Sequence, residues 1–148
     1  MKRQLMIIIV WLSVFAMAKA QGGLNITPLF EGKVIPQERM VETRVKGKML
    51  SKYQLSFFRS VRFEAKDKAE ISRIHDLIAQ DAKANPNFAY GDNYSSQKSH
   101  AKETLMLQLS KSGSLNCFLC YKRKGNDITV VYMEGTINSV YALKDILK

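Results

Sequence analysis

The residues most suggestive of chemistry are Cys117 and Cys120, whose C-x-x-C spacing is that of thiol redox sites and of half a zinc site. Redox pairs of this kind lie at the start of a helix, where the helix N-terminus stabilises the thiolate. Here the intervening Phe118 and Leu119 and the following Tyr121 form an apolar run typical of a strand. In an extended strand, positions three apart have Cα atoms about 10 Å apart and side chains on opposite faces, too far for a disulfide. We therefore expect free, buried thiols and no disulfide.

Histidine could supply acid–base catalysis near neutral pH, and the chain has two, His75 and His100. His75 lies about 40° from Ile71 on the predicted helix, at the edge of its apolar face, where one hydrogen-bond partner would account for it. Two separated imidazoles and a single cysteine pair do not make a zinc-ligand pattern, so we expect no metal and no cofactor. A small hydrolase remains the alternative function if the fold assembles a site around His75 or His100.

Arg59 falls on the buried face if residues 55–63 alternate strictly, and a bare buried guanidinium is too costly. Three explanations stay open: a β-bulge near Phe58 and Arg59 that shifts the register, an ion pair with a carboxylate, or contact with a ligand.

Three aromatic residues, Phe88, Tyr90 and Tyr94, lie in the polar stretch 87–101, which is longer than an ordinary connection. We interpret the stretch as a loop that either folds over its own aromatics or forms the lip of a binding site. With Arg59, these three residues are the candidate ligand-binding residues.

The elements that must position these residues follow from hydrophobic periodicity and turn signals. Thr27 and Pro28 predict a short helical turn. Asp67 and Glu70 resemble a capping box at the start of a helix that ends before Pro86. The remaining elements are strands at 41–45, 55–65, 104–109, 117–122 and 128–133, and a closing helix with Val140, Leu143, Ile146 and Leu147 on one face. This order predicts an α+β fold: a mainly antiparallel sheet of about five strands with two helices packed on it.

The first twenty residues have the pattern of a cleavable signal peptide. Lys2 and Arg3 precede an apolar run over residues 5–17, and Ala18 and Ala20 supply the small residues that signal peptidase recognises. The run is shorter than the about 20 residues needed to span a bilayer, and no cysteine near it could carry a lipid anchor. We expect residues 1–20 to be removed and residues 21–148 to form a single α+β domain.

Without residues 1–20, which hold three of the 23 basic residues and no acidic ones, 20 basic and 13 acidic residues give a net charge of +7, which favours a partner of opposite charge, such as an acidic polymer or a cell-envelope component. Nucleic acid is disfavoured, because the basic residues are not interleaved with a set of stacking aromatics. Asn25 and Asn93 begin N-glycosylation patterns, whose use depends on the secreting cell.

Several short sequence motifs are distributed across residues 21–148. They are Gly23-Leu24 with Ile26, Leu29-Phe30, Tyr53 and Leu55 leading to Phe58-Arg59-Ser60, and Tyr132-Met133-Glu134-Gly135. In these motifs the chain resembles a family of small exported proteins of unknown function from Bacteroidota. The resemblance implies a bacterium with two membranes, hence a periplasmic or secreted protein, and it implies no catalytic residue. The predicted function is that of an exported, soluble, non-catalytic binding or interaction protein.

Overall fold

The computed structural model of the chain describes residues 24–84, 89–92 and 102–146. Within these ranges, six strands form one sheet in the order β1-β2-β6-β5-β4-β3, and every neighbouring pair is antiparallel. The strands are β1 (Met40–Lys46), β2 (Leu55–Glu64), β3 (Ala89–Asp92), β4 (Lys102–Ser112), β5 (Leu115–Lys124) and β6 (Asp127–Gly135). The helices are α1 (Thr27–Phe30), α2 (Lys68–Ala84) and α3 (Val140–Ile146), with 3₁₀ turns η1 (Gln37–Arg39) and η2 (Lys48–Tyr53).

The mainly antiparallel sheet predicted from the sequence is confirmed, and five of its strands are those expected. The sixth strand, β3, lies inside the stretch 87–101, so the loop prediction is wrong for these four residues. Gly91 and Asp92 have low strand propensity, which hides β3 in the sequence. The two-helix expectation is not confirmed in that form, because short helical turns accompany the 17-residue α2 and the 7-residue α3.

The capping signals of α2 work as the sequence predicts. The Glu70 backbone N–H donates to Asp67 Oδ1 over 2.9 Å, and the Lys66 N–H donates to Glu70 Oε1 over 3.1 Å. The first bond satisfies an amide group that the helix start leaves without an intrahelical partner, and the second ties the residue before Asp67 to the first turn of the helix. Gly113 lies in the tight turn between β4 and β5, and Gly125 lies in the turn between β5 and β6. Both have a φ of 61°, a left-handed value that glycine adopts at little cost.

The two faces of the sheet carry separate cores. The front face is covered by α1 and α2, whose Leu29, Ile74 and Ile78 pack with the strands. The back face is covered in part by η2 and α3, through Leu50, Val140 and Leu143. The described residues thus form three layers, of which the back layer covers only part of the sheet.

Asp81 of α2 ties the N-terminal segment to the front layer. Its carboxylate, 1% exposed, accepts hydrogen bonds from the backbone N–H of Asn25 (2.7 Å) and of Ile26 (3.0 Å), and from Nδ2 of Asn25 (3.1 Å). Burial raises the pKa of Asp81, and these three donors oppose that rise. The bonds fix α1 over the sheet, where Phe30 meets Arg59.

Candidate functional site

Arg59 lies on the front face, with its side chain 13% exposed and held by contacts within the protein. Its Nε donates to Glu42 Oε1 over 3.0 Å, and its Nη2 donates to the carbonyl oxygen of Phe30 over 3.0 Å. The guanidinium also lies 5.2 Å from the centre of the Phe30 ring, a cation–π contact. Of the three explanations for this residue, the ion pair is therefore present. Contact between Arg59 and a ligand stays a prediction.

The β-bulge is present as well, but it is not where the sequence placed it. The register of β2 against β6 shifts between Leu55 and Phe57, which places the bulge at Ser56. Leu55 consequently packs in the back-face core, whereas Phe57 packs against the front-face core. The expected bulge near Phe58 and Arg59 is corrected accordingly, and Arg59 is not turned away from the front face.

The predicted aromatic residues are not gathered around Arg59. Phe88 and Tyr94 lie outside the described residues. Tyr90 belongs to β3, where it is paired with Met106. Three strands, β6, β5 and β4, separate β2 from β3. At about 4.8 Å per strand, Arg59 and Tyr90 are roughly 19 Å apart across the sheet, so the structure does not unite them in one site.

Cys117 and Cys120 lie in β5, as the sequence predicts, and both are buried free thiols. Cys117 belongs to the front-face core and Cys120 to the back-face core, so the two side chains point away from each other. Burial raises the pKa of Cys117, and it raises the pKa of Cys120 to about 11. Both thiols are poor nucleophiles in this setting, because the reactive form is the thiolate.

A buried charge pair lies on the front face beside His75. Glu103 Oε2 accepts hydrogen bonds from Arg123 Nε (3.3 Å) and from the Tyr121 hydroxyl (3.1 Å), and Arg123 Nη1 donates to the Gly125 carbonyl (2.8 Å). His75 of α2 is half-buried, with its ring edge-on to Tyr121 at 6.4 Å between centres. The sequence analysis missed this pair, although Glu103 and Arg123 each stand in a run of alternating buried residues.

The hydrolase alternative depends on a concave site around a histidine. One shallow surface depression among the described residues is lined by Arg39, Glu64, Ala65, Lys66 and Asn126, and His75 does not line it. His100 lies outside the described residues. Within the described ranges, no group of three or more His, Cys, Asp or Glu side chains could hold a metal ion. No helix in these ranges is long and apolar enough to cross a membrane.

The open half of the back face is the strongest candidate for binding. We call it the basic patch, and it consists of Arg62, Lys102, Lys122 and Lys124 with Thr104 and Thr129 between them. Its four basic residues are exposed, and the patch extends across four neighbouring strands in the order β2, β6, β5 and β4. The apolar half of the same face is covered by η2 and α3, whereas none of the elements in the described ranges covers this half.

The register of the strands sets the spacing of the charges. Lys102 is the direct cross-strand partner of Lys124, so their Cβ atoms are about 5 Å apart, and Lys122 lies about 6.8 Å further along β5. Like charges placed directly opposite each other destabilise a sheet. Folding therefore gains nothing from this pair, and an anionic ligand would relieve the repulsion.

Two carboxylates lie among these cations, Asp127 and, directly opposite it on β2, the exposed Glu64. Asp127 pairs with Arg62 over 2.9 Å, and the hydrogen bond from Arg62 lowers the pKa of Asp127, with a smaller contribution from Lys124. In the part of the chain that the structure describes, Lys102, Lys122 and Lys124 form no ion pair. The lysines of the basic patch are thus available to a ligand.

Comparison with known proteins identifies a family but no activity. No curated protein shows significant similarity to the chain. The model of one family of unknown function matches residues 13–147, which is nearly the whole sequence and includes every element of the sheet. The chain therefore belongs to the family of unknown function DUF6108.

Proposed function

We propose that the protein is an exported, soluble, non-catalytic binding protein that holds an acidic polymer on the basic patch. The observation that carries the proposal is the exposed cluster of Lys102, Lys122 and Lys124 on a half of the sheet that no described element covers. A flat array of ammonium groups can contact several charges of one polymer at once. Such contacts gain free energy from the release of counterions, so they are sensitive to salt.

Export and location are parts of the same proposal. The charged start, the apolar run at 5–17 and the small residues before Gln21 support a signal peptide. The resemblance to small exported proteins of Bacteroidota supports a periplasmic or secreted location without a lipid anchor. Acidic polysaccharides of the cell envelope are partners that a basic exported protein would meet there.

The hydrolase alternative has weaker support. Its one favourable observation is that His75 lies near the buried Glu103 through their shared neighbour, Tyr121. Glu103, however, already accepts hydrogen bonds from Tyr121 and from Arg123. We rank binding above hydrolysis for this reason.

The decisive experiment compares two variants that lose the same charge. The first carries Lys102→Gln, Lys122→Gln and Lys124→Gln in the basic patch. The control carries Lys66→Gln, Lys68→Gln and Lys83→Gln, which replace three exposed lysines on or beside α2. Polygalacturonate is the acidic probe and dextran the neutral one, with binding measured by titration calorimetry at several salt concentrations.

We expect the first variant to lose most of its affinity for polygalacturonate and the control to retain it. The slope of log affinity against log salt should fall by about 2 in the first variant, since each lost contact removes roughly 0.7 to 0.9. Equal losses of affinity in both variants would show that binding depends on the net charge of the protein and not on the basic patch, which would overturn the proposed site. Equal binding of dextran would exclude an electrostatic site.

Export is tested separately on protein recovered from the cell that makes it. Mass spectrometry is expected to show a chain beginning at Gln21 in the soluble periplasmic or extracellular fraction. A chain that still begins at Met1, or one recovered only with detergent, would contradict this part of the proposal.

A further inference from the structure

The turn η2 exposes apolar side chains at one end of the molecule. Among the described residues, four large hydrophobic side chains are exposed, and two of them, Met49 (78%) and Tyr53 (37%), lie in this six-residue turn. A single exposed apolar residue needs no explanation. Two exposed apolar side chains in one turn that also carries lysines form a surface that calls for an explanation.

The turn is held rigidly, so Met49 projects from a fixed backbone. Its neighbour Leu50 is buried in the back-face core. The carbonyl oxygen of Gln54, at the end of the turn, accepts hydrogen bonds from the N–H of Thr136 (2.9 Å) and of Ile137 (3.2 Å). Exposure of Met49 is therefore built into the fold and does not depend on a mobile loop.

Two exposed lysines, Lys48 and Lys52, belong to this turn, and Lys46 ends β1 just before it, with its ammonium 5.8 Å from the centre of the Phe57 ring. Residues 43–63 contain no Asp or Glu, and within the described ranges none of the three lysines forms an ion pair. Residues three apart eclipse each other in a 3₁₀ turn, so Met49 and Lys52 lie on one side of it. The ammonium of Lys52 also lies 4.8 Å from the centre of the Tyr53 ring.

We propose that η2 docks reversibly onto an anionic lipid surface. Met49 would enter the boundary between headgroups and acyl chains, Tyr53 would lie at headgroup level, and Lys48 and Lys52 would contact lipid phosphates. The apolar tip favours lipid over an acidic polymer, because a soluble polymer offers nothing to bury Met49.

The docking turn and the basic patch lie at opposite ends of the sheet. Lys46 is paired with Phe57, which is opposite Glu134 near the end of β6, whereas Lys124 is opposite Asp127 at its start. A protein docked through η2 therefore directs the basic patch away from the lipid. The inference does not depend on the proposed polymer binding, and each can fail alone.

The test is vesicle sedimentation, using exported protein whose N-terminus has been shown to be Gln21, so that the apolar residues 5–17 cannot contribute. Vesicles of phosphatidylethanolamine with phosphatidylglycerol are compared with vesicles of phosphatidylcholine alone. Met49→Ser is expected to weaken binding to the anionic vesicles about tenfold. Each of Lys48→Gln and Lys52→Gln should weaken it roughly fivefold.

Matched controls separate this turn from the rest of the surface. Val41→Ser replaces another exposed apolar residue, at the far end of β1, and should leave binding unchanged. The variant with Lys122→Gln and Lys124→Gln removes charge at the other end of the sheet and should also bind normally. All of these side chains are exposed, so folding is expected to survive, which circular dichroism checks.

Tryptophan fluorescence gives a second measurement, because the only tryptophan of the sequence, Trp11, lies in the predicted signal peptide. Met49→Trp should show a blue shift with anionic vesicles, and Val41→Trp should show none. Absence of sedimentation with anionic vesicles, equal binding to phosphatidylcholine, or equal effects of Val41→Ser and Met49→Ser would each overturn the inference. So would loss of polygalacturonate binding in Met49→Ser with vesicle binding intact, since the occupant would then be a polymer.

Discussion

Lys122, Arg123 and Lys124 are consecutive residues of β5, yet they lie on two faces of the sheet that use positive charge differently. Arg123 points to the front face, where it is buried and bound to Glu103. Lys122 and Lys124 point to the back face, where they are exposed and Lys124 is opposite another lysine. On the front face the positive charge of Arg123 therefore stabilises the fold through an ion pair. On the back face the charges of Lys122 and Lys124 remain exposed, where they can contact a ligand. Four measurements test that division.

The largest effect is expected from Glu103→Ala. Removing one partner of a buried ion pair leaves the other charge without compensation, which costs about 3 to 5 kcal/mol of unfolding free energy. Urea denaturation measures the loss, and Lys122→Gln, next to Arg123 but on the back face, serves as the control with no resolvable change. A loss below about 1 kcal/mol for Glu103→Ala would mean that the pair is not buried as described.

The two thiols should react only after unfolding, whichever face they occupy. Burial raises the pKa of Cys120 to about 11, so little thiolate exists at pH 8. Titration with a thiol reagent, with and without denaturant, is expected to find two thiols in the denatured protein and none in the native one. Serine at either position should cost about 1 to 3 kcal/mol, because a hydroxyl replaces a buried sulfur. Thiols that appear only after a reductant is added would contradict the strand geometry of β5.

A smaller, pH-dependent effect is expected at the start of α2. Arg39 donates two hydrogen bonds to Glu70, at 2.9 and 3.0 Å, and lowers the pKa of Glu70 below its usual range. A carboxylate with a depressed pKa in the folded state adds stability above its unfolded pKa of about 4.3, and this contribution is lost as pH falls through the folded value. Glu70→Gln should therefore lower the urea midpoint at pH 7.

The difference between wild type and Glu70→Gln should shrink as the pH falls below about 4. Glu64→Gln is the control, because its side chain is exposed and only its backbone carbonyl accepts from Arg39. A difference that stays constant from pH 7 to pH 3 would show that the Arg39 contact does not depend on the charge of Glu70.

The smallest effect is expected from Lys102→Gln and has the opposite sign. Removing one member of the Lys102 and Lys124 pair should stabilise the protein by roughly 0.2 to 0.5 kcal/mol at low salt. High salt should remove the gain, because it screens exposed charges. Lys111→Gln, which replaces an exposed lysine near the other end of β4, is the control and should change nothing. A loss of stability in Lys102→Gln would show that the basic patch contributes to the fold.

The sequence predicts an element of secondary structure best where the residues of that element alone determine it. The strand of Cys117 follows from local apolar residues, and the limits of α2 follow from Asp67 and Pro86. The bulge at Ser56 is hidden, because Leu55 and Phe57 are both apolar and look like one alternating face.

Features made by strand register cannot be predicted in this way. Glu103 meets Arg123, and Lys102 meets Lys124, only because β4 and β5 pair at one particular offset. A shift of one residue would exchange the two faces of a strand. The same limit explains why Arg59 was identified as unusual while its partner, Glu42, was not.

The hydrogen bonds between Asp81 and the N-terminal segment also constrain how the chain matures. A protein is synthesised from its N-terminus, so Asn25 and Ile26 emerge first, while their acceptor follows 56 residues after Asn25. Until Asp81 has been added, the N–H groups of Asn25 and Ile26 lack their acceptor, and Leu29 and Phe30 lack the α2 part of their core, which includes Ile74 and Ile78. The beginning of the domain is therefore the segment that a chaperone would meet for longest during synthesis.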